Sequence, residues 1–181
     1  MTSSKIGAFP CDLPLPPDDP ARALVHVHAD DDGLERLHLA GDTYTFLVTG
    51  AQSDGRFCLI DMHVPAGGGP KPHRHQFDEL FYMLDGELEL TFRGETKTVR
   101  SGETVNVPAN APHAFVNASD KPARMLCLCA PAGQEEFFRE MGTPAGSRTE
   151  PASEPDPDMM NAFAEKARRL GPVYRSEFVD S

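Results

Sequence analysis

At 181 residues, 39% hydrophobic and 25% charged, the chain has room for one domain with a sizeable core plus extensions, and its composition excludes disorder throughout. Its 28 acidic and 17 basic residues give a net charge of -11, which opposes binding to nucleic acid or to an anionic membrane surface, both polyanions. Met1 to Gly7 lacks the apolar run of a signal peptide and no stretch of about 18 apolar residues follows, so the expectation is a cytoplasmic protein with small-molecule partners.

Residues 1 to about 23 are proline-rich and carry the acidic pair Asp18-Asp19, which favours an extended arm over a helix. Leu24-Val-His26-Val-His28 reads as a short surface strand ending in the Asp30-Asp31-Asp32-Gly33 turn. His26, His28 and Asp32 repeat a metal-like spacing, but without glycines around it or a downstream partner, so the run is read as a decoy. Thr43–Thr49 and Arg56–Val64 are rich in β-branched and aromatic residues and are joined through Asp54-Gly55, as antiparallel neighbours would be.

The glycine-rich bend 65–69 leads to His73-Arg-His75-Gln-Phe-Asp-Glu79. On an extended backbone of period two, His73, His75 and Glu79 share one side. Two imidazoles and a carboxylate so placed suit a divalent first-row metal and leave coordination positions open. Leu80–Leu84 continues the strand and Asp85-Gly86 turns it. Glu87–Phe92 then alternates polar and apolar with Leu88, Leu90 and Phe92 inward. Further strands are predicted over Thr96–Val99, Thr104–Val107, His113–Asn117 and Ala123–Ala130, a strand-and-turn rhythm of sandwiches and jelly rolls. His113 follows the turn after Pro108 and offers a fourth metal ligand.

Cys11, Cys58, Cys127 and Cys129 lack zinc-site spacing, and the last two lie in the apolar run Met125–Ala130, so reduced core thiols are expected. Beyond the strands, Gln134–Met141 reads as a helix closed by Gly142. After a linker over Pro144–Pro155, Asp156 and Pro157 open a last helix that Gly171-Pro172 stops. Met160, Phe163, Ala167 and Leu170 form its apolar stripe. The predicted division is an arm with a first strand over 1–40, a barrel over 41–132 and a helical extension over 133–181.

Two framed motifs resemble those of the cupins. Gly67, His73, His75, Glu79 and Gly86 match G-x5-H-x-H-x3-E-x6-G, and Gly102, Pro108, His113 and Asn117 match G-x5-P-x-G-x2-H-x3-N. One position departs: Asn110 stands for the second motif's middle glycine, and asparagine also tolerates the left-handed backbone.

The resemblance implies an all-β cupin fold, a double-stranded β-helix or jelly-roll barrel, with the arm and the C-terminal helices added. It also implies one divalent transition metal ion per chain (Fe, Mn, Ni, Co or Zn) on His73, His75, Glu79 and His113. Glu136–Ala145 is similar to the helix and turn that follow the barrel in single-domain quercetin 2,3-dioxygenase-like cupins. That branch implies a dioxygenase using O2 on a small enol or flavonol, with Glu79 as the catalytic base. Strand parity aims Phe81, Met83 and Phe115 at the metal as substrate-binding walls, and His63 on the preceding strand is a further candidate. The same ligands serve a non-oxidative isomerase, cyclase or lyase, or a small-molecule binding protein. An open sheet edge, the arm and the last helix together predict a homodimer.

Overall fold

The computed structural model describes residues 14–152 and 157–179. Its first strand pair is β1 (Arg36–Leu39) with β2 (Asp42–Val48), and a single capped turn, α1 (Gly50–Ser53), leads to β3 (Cys58–Val64). The ligand segment follows as β4 (His73–His75) and β5 (Asp78–Asp85), then β6 (Glu87–Phe92), β7 (Glu95–Arg100), β8 (Thr104–Val107), β9 (His113–Val116) and β10 (Ala123–Ala130). The C-terminal part holds α2 (Gln134–Met141), β11 (Thr143–Pro144), α3 (Pro157–Leu170) and β12 (Ser176–Phe178).

Two antiparallel sheets result, in the orders β11-β1-β2-β3-β10-β5-β8 and β12-β4-β9-β6-β7. This is the predicted all-β jelly roll with few helices. Its interior follows from strand parity. On β5, Glu79, Phe81 and Met83 are buried while Tyr82 is 40% exposed, and β10 buries Ala123, Met125, Cys127 and Cys129. The register sets Glu79 beside Cys129, Phe81 beside Cys127 and Met83 beside Met125, while β3 adds Ile60 and Met62 to the same face. From the other sheet Leu88, Leu90 and Phe115 complete a continuous core. Phe81 and Phe115 meet edge to face at 5.6 Å, a geometry worth about 0.5–1.5 kcal/mol beyond area burial.

Local expectations met different fates. Asn110 has φ +67, so the second motif's turn is kept without glycine. Leu24–His28 forms no strand, and none of the described strands pairs with it; Leu24 is 91% exposed, and β propensity without a partner ladder does not make a strand. The turns that follow it are present, and Arg36 anchors them by donating to the carbonyls of Ala29 and Asp31. Cys58, Cys127 and Cys129 are buried free thiols, while Cys11 lies outside the described residues. The last helix begins at Pro157 and ends at Leu170 as predicted; its cap at Asp156 lies outside the described residues. Ala167 is buried and Phe163 and Leu170 pack on the core, but Met160 remains 52% exposed.

The chain beyond α3 returns to the ligand segment. β12 pairs antiparallel with β4, aligning Ser176 with His75 and Phe178 with His73. Arg74 forms an ion pair with Glu177, and the Gln76 N–H donates to the Arg175 carbonyl at 3.0 Å. The short strand carrying two of the candidate ligands is therefore held between β12 and β9.

Candidate metal centre

His73 and His75 come from β4, Glu79 from β5 and His113 from β9, and one ligand atom from each lies within 4.8 Å of the others. His73 and His113 are register partners across β4 and β9, which closes the cluster between strands far apart in sequence. His75, Glu79 and His113 are 3%, 6% and 2% exposed, whereas His73 is half-buried. The cluster thus has one wetter side, at His73, where the Phe178 ring lies 6.5 Å from the imidazole.

Each imidazole is oriented through its Nδ1. Nδ1 of His73 lies 2.9 Å from the Lys71 carbonyl, that of His75 3.0 Å from Phe77, and that of His113 3.0 Å from Ala111. Donation from Nδ1 to a carbonyl fixes the tautomer and leaves Nε2 as the free electron pair, the usual second-layer support of a metal-binding histidine. Phe77 also stacks flat on His75 at 3.7 Å and fixes its ring plane. Glu79 Oε2 sits 3.1 Å from His75 Nε2 and 3.0 Å from His113 Nε2.

Without a cation, these contacts need protons on Nε2. Burial raises the proton affinity of Glu79, but the hydrogen bonds from His113 and His75 outweigh it and hold the carboxyl well below the usual range. For His113 burial pulls down, and the hydrogen bond to Glu79 more than compensates, so its pKa is raised. His73 is lowered to about 4 by burial and by the neighbouring His113. A buried anion thus faces imidazoles that a divalent cation would bridge in place of protons. Three nitrogen donors and one carboxylate oxygen, with Nδ1 already committed, fit a first-row metal.

The candidate wall residues divide. Phe81, Met83 and Phe115 lie inside the barrel, but they fill it. Together with Leu88, Leu90, Val99, Val105 and Met125 they leave a void of only about 10 Å³, at the limit for one water. The expected open pocket among them is corrected to a packed floor. His63 is corrected as well. It is the register partner of Arg124 and Thr43 on the outer face of β3, the parity it shares with Asp61, while Ile60 and Met62 face inward. Burial and the cations of Arg148 and Arg124 lower its pKa there. The alternation Leu59, Asp61, His63 against Cys58, Ile60, Met62 already carried that information. The decoy also separates: His26 and His28 lie on exposed loop.

Two neighbours went unread in the sequence. Cys127 Sγ lies 3.2 Å from Glu79 Oε1, and Cys129 Sγ lies 3.9 Å from the same oxygen. Contact with Cys129 lowers the Cys127 pKa, but burial and the Glu79 charge outweigh it and push the thiol up to about 12. At neutral pH it is therefore a donor.

A family model described as a cupin domain matches residues 60–129, the segment from β3 through β10. The polyketide synthase CurC of Streptomyces cyaneus is 31% identical over 108 residues, covering 58% of this chain and 69% of that protein. The chain belongs to the cupin superfamily. Quercetin 2,3-dioxygenase of Bacillus subtilis is 26% identical over 126 residues, 69% of this cupin, which spans only 37% of that protein's length. Among solved structures, the polyketide cyclase RemF of Streptomyces resistomycificus superposes with a TM-score of 0.53 at 26% identity, over 60% of this cupin and 80% of that chain.

Proposed function

We propose that this cupin is a metal-dependent enzyme acting on a small, planar, enolic substrate, with dioxygenation by O2 as the first reading. One observation carries the proposal: three histidines, each locked through its Nδ1 or backed by a stacked ring, converge with Glu79 on a point that is wetter only at His73. Bound there by His73, His75, Glu79 and His113, a divalent ion supplies Lewis acidity and a template for a chelating oxygen pair.

The chain's own residues then have distinct tasks. The packed floor of Phe81, Met83 and Phe115 excludes water from below and directs a substrate to the His73 side. Phe178, 44% exposed beside His73, offers an apolar face there. Glu79 is the carboxylate of the cluster and the group to take the substrate's proton. The similarity to a quercetin dioxygenase supports the oxidative reading.

A second reading is a non-oxidative cyclase, favoured by the similarity to a polyketide synthase and a polyketide cyclase. Oxygen uptake separates the two. With metal restored and a flavonol or polyphenolic enol supplied, O2 should disappear in step with substrate. Undiminished anaerobic turnover would overturn the oxidative reading and leave the cyclase one. A homodimer remains part of the proposal, with exposed Leu15, Leu24 and Met160 on the arm and α3 available to be covered. Sedimentation showing a monomer at micromolar concentration would contradict it.

A further inference from the structure

The two oxygens of Glu79 do different work. Oε2 faces the imidazoles of His75 and His113 at 3.1 and 3.0 Å. Oε1 points the other way, into β10, where the Cys127 thiol meets it at 3.2 Å. Cys127 in turn touches Cys129 at 3.7 Å, and both side chains are buried on the inner face of β10. No water is needed to satisfy Oε1 in this setting: a protonated thiol is a weak donor, but a charged acceptor strengthens the bond.

We propose that Cys127 is a positioning residue of the metal centre: its S–H donates to Glu79 Oε1, leaving Oε2 alone to serve as the one-oxygen ligand. The inference rests on the metal-centre reading above. Three consequences follow from the geometry. A carboxylate tied by one oxygen cannot rotate to chelate through both, so more coordination positions stay free for substrate. Donation to Oε1 drains charge from Oε2 and lowers the basicity of Glu79. Loss of the donor leaves buried Oε1 with only the longer contact to the Cys129 thiol at 3.9 Å, a desolvation cost that bidentate ligation or rotation would relieve.

The test uses the full chain stripped of metal and titrated with Co²⁺, which reports ligand number through its visible absorption. Cys127→Val removes the donor at similar volume, Cys127→Ser keeps a donor, and Cys129→Val changes the neighbouring thiol. Co²⁺ affinity should change in Cys127→Val by on the order of 10- to 100-fold, the scale of outer-layer partners of metal ligands. Its absorption bands should shift, Cys127→Ser should recover most of both effects, and Cys129→Val, which loses only the 3.9 Å contact, should change both far less. Independently of metal, the infrared S–H band lost in Cys127→Ser should lie below that of a free thiol.

An undisplaced S–H band, or Cys127→Val with wild-type affinity and absorption, would overturn the proposal while leaving the metal centre standing. Equal effects of Cys127→Val and Cys129→Val would overturn it too, since packing alone would then explain them. Wild-type protein that takes up no Co²⁺ would overturn the metal centre and this proposal together.

Discussion

The two ends of β9 each bury a carboxylate, and the protein treats them in opposite ways. At the His113 end, Glu79 faces two imidazoles and a thiol. At the other end the Asn117 N–H donates to the Gly68 carbonyl, and Gly68 lies against Asp42. Asp42 is 0% exposed and neither of its oxygens has a hydrogen-bond partner of normal geometry. Burial pushes its pKa up to about 8, against the weaker pull of the Gly69 N–H and the Tyr44 side chain. Glu79 is buried as deeply and moves down instead. Partners, not depth, decide which buried acid stays charged, and only a charged one is equipped to hold a cation.

The largest expected effect lies in the glycine bend. A Cβ on Gly69, which has φ +126, would fall 2.2 Å from the Phe115 carbonyl oxygen, backbone that cannot step aside. Gly69→Ala should therefore cost about 4 kcal/mol or more in denaturant unfolding. Next, the same carboxyl-to-amide exchange should have opposite signs at the two ends. In metal-free protein at pH 7, Glu79→Gln removes the anion that two buried imidazoles face and should destabilise by about 1–3 kcal/mol.

Asp42→Asn should instead flatten the pH dependence. With a native pKa of about 8 against an ordinary carboxyl value of 3.8, native Asp42 keeps a proton that the unfolded chain releases. Wild-type stability should thus fall as pH rises from 4 to 8, by up to about 1.4 kcal/mol per pH unit from this group, and level off above. Unfolding series at several pH values check this; an unchanged slope in Asp42→Asn would refute the buried, unpartnered acid. The smallest effect belongs to the decoy: His26→Ala with His28→Ala should change stability by less than about 0.5 kcal/mol and leave metal uptake intact.

The ligand set was legible because glycines and a proline frame it at fixed spacings, and because Asn110 substitutes for glycine by a known backbone tolerance. The barrel strands were legible from alternation and turn residues. What escaped depends on chain segments meeting across long separations. Ser176–Phe178 is too short to show a period, yet it pairs with β4. Arg36–Leu39 becomes a strand because β2 and β11 flank it, while Leu24–His28 has higher β propensity and no partner among the described residues. The β5 to β10 register sets Cys129 opposite Glu79 and brings Cys127 to it on the diagonal, a meeting that neither strand encodes alone. The burial of Asp42 depends on the glycine bend, since Gly68 lies against its carboxyl from more than twenty residues away.

Metal content per chain decides whether His73, His75, Glu79 and His113 hold an ion. Wild-type protein and the His75→Ala, His113→Ala double variant would be stripped, reloaded with one divalent metal, freed of excess and analysed for bound ion. One ion per chain is expected in the wild type and almost none in the double variant. Full occupancy in the double variant, or none in the wild type, would contradict this assignment.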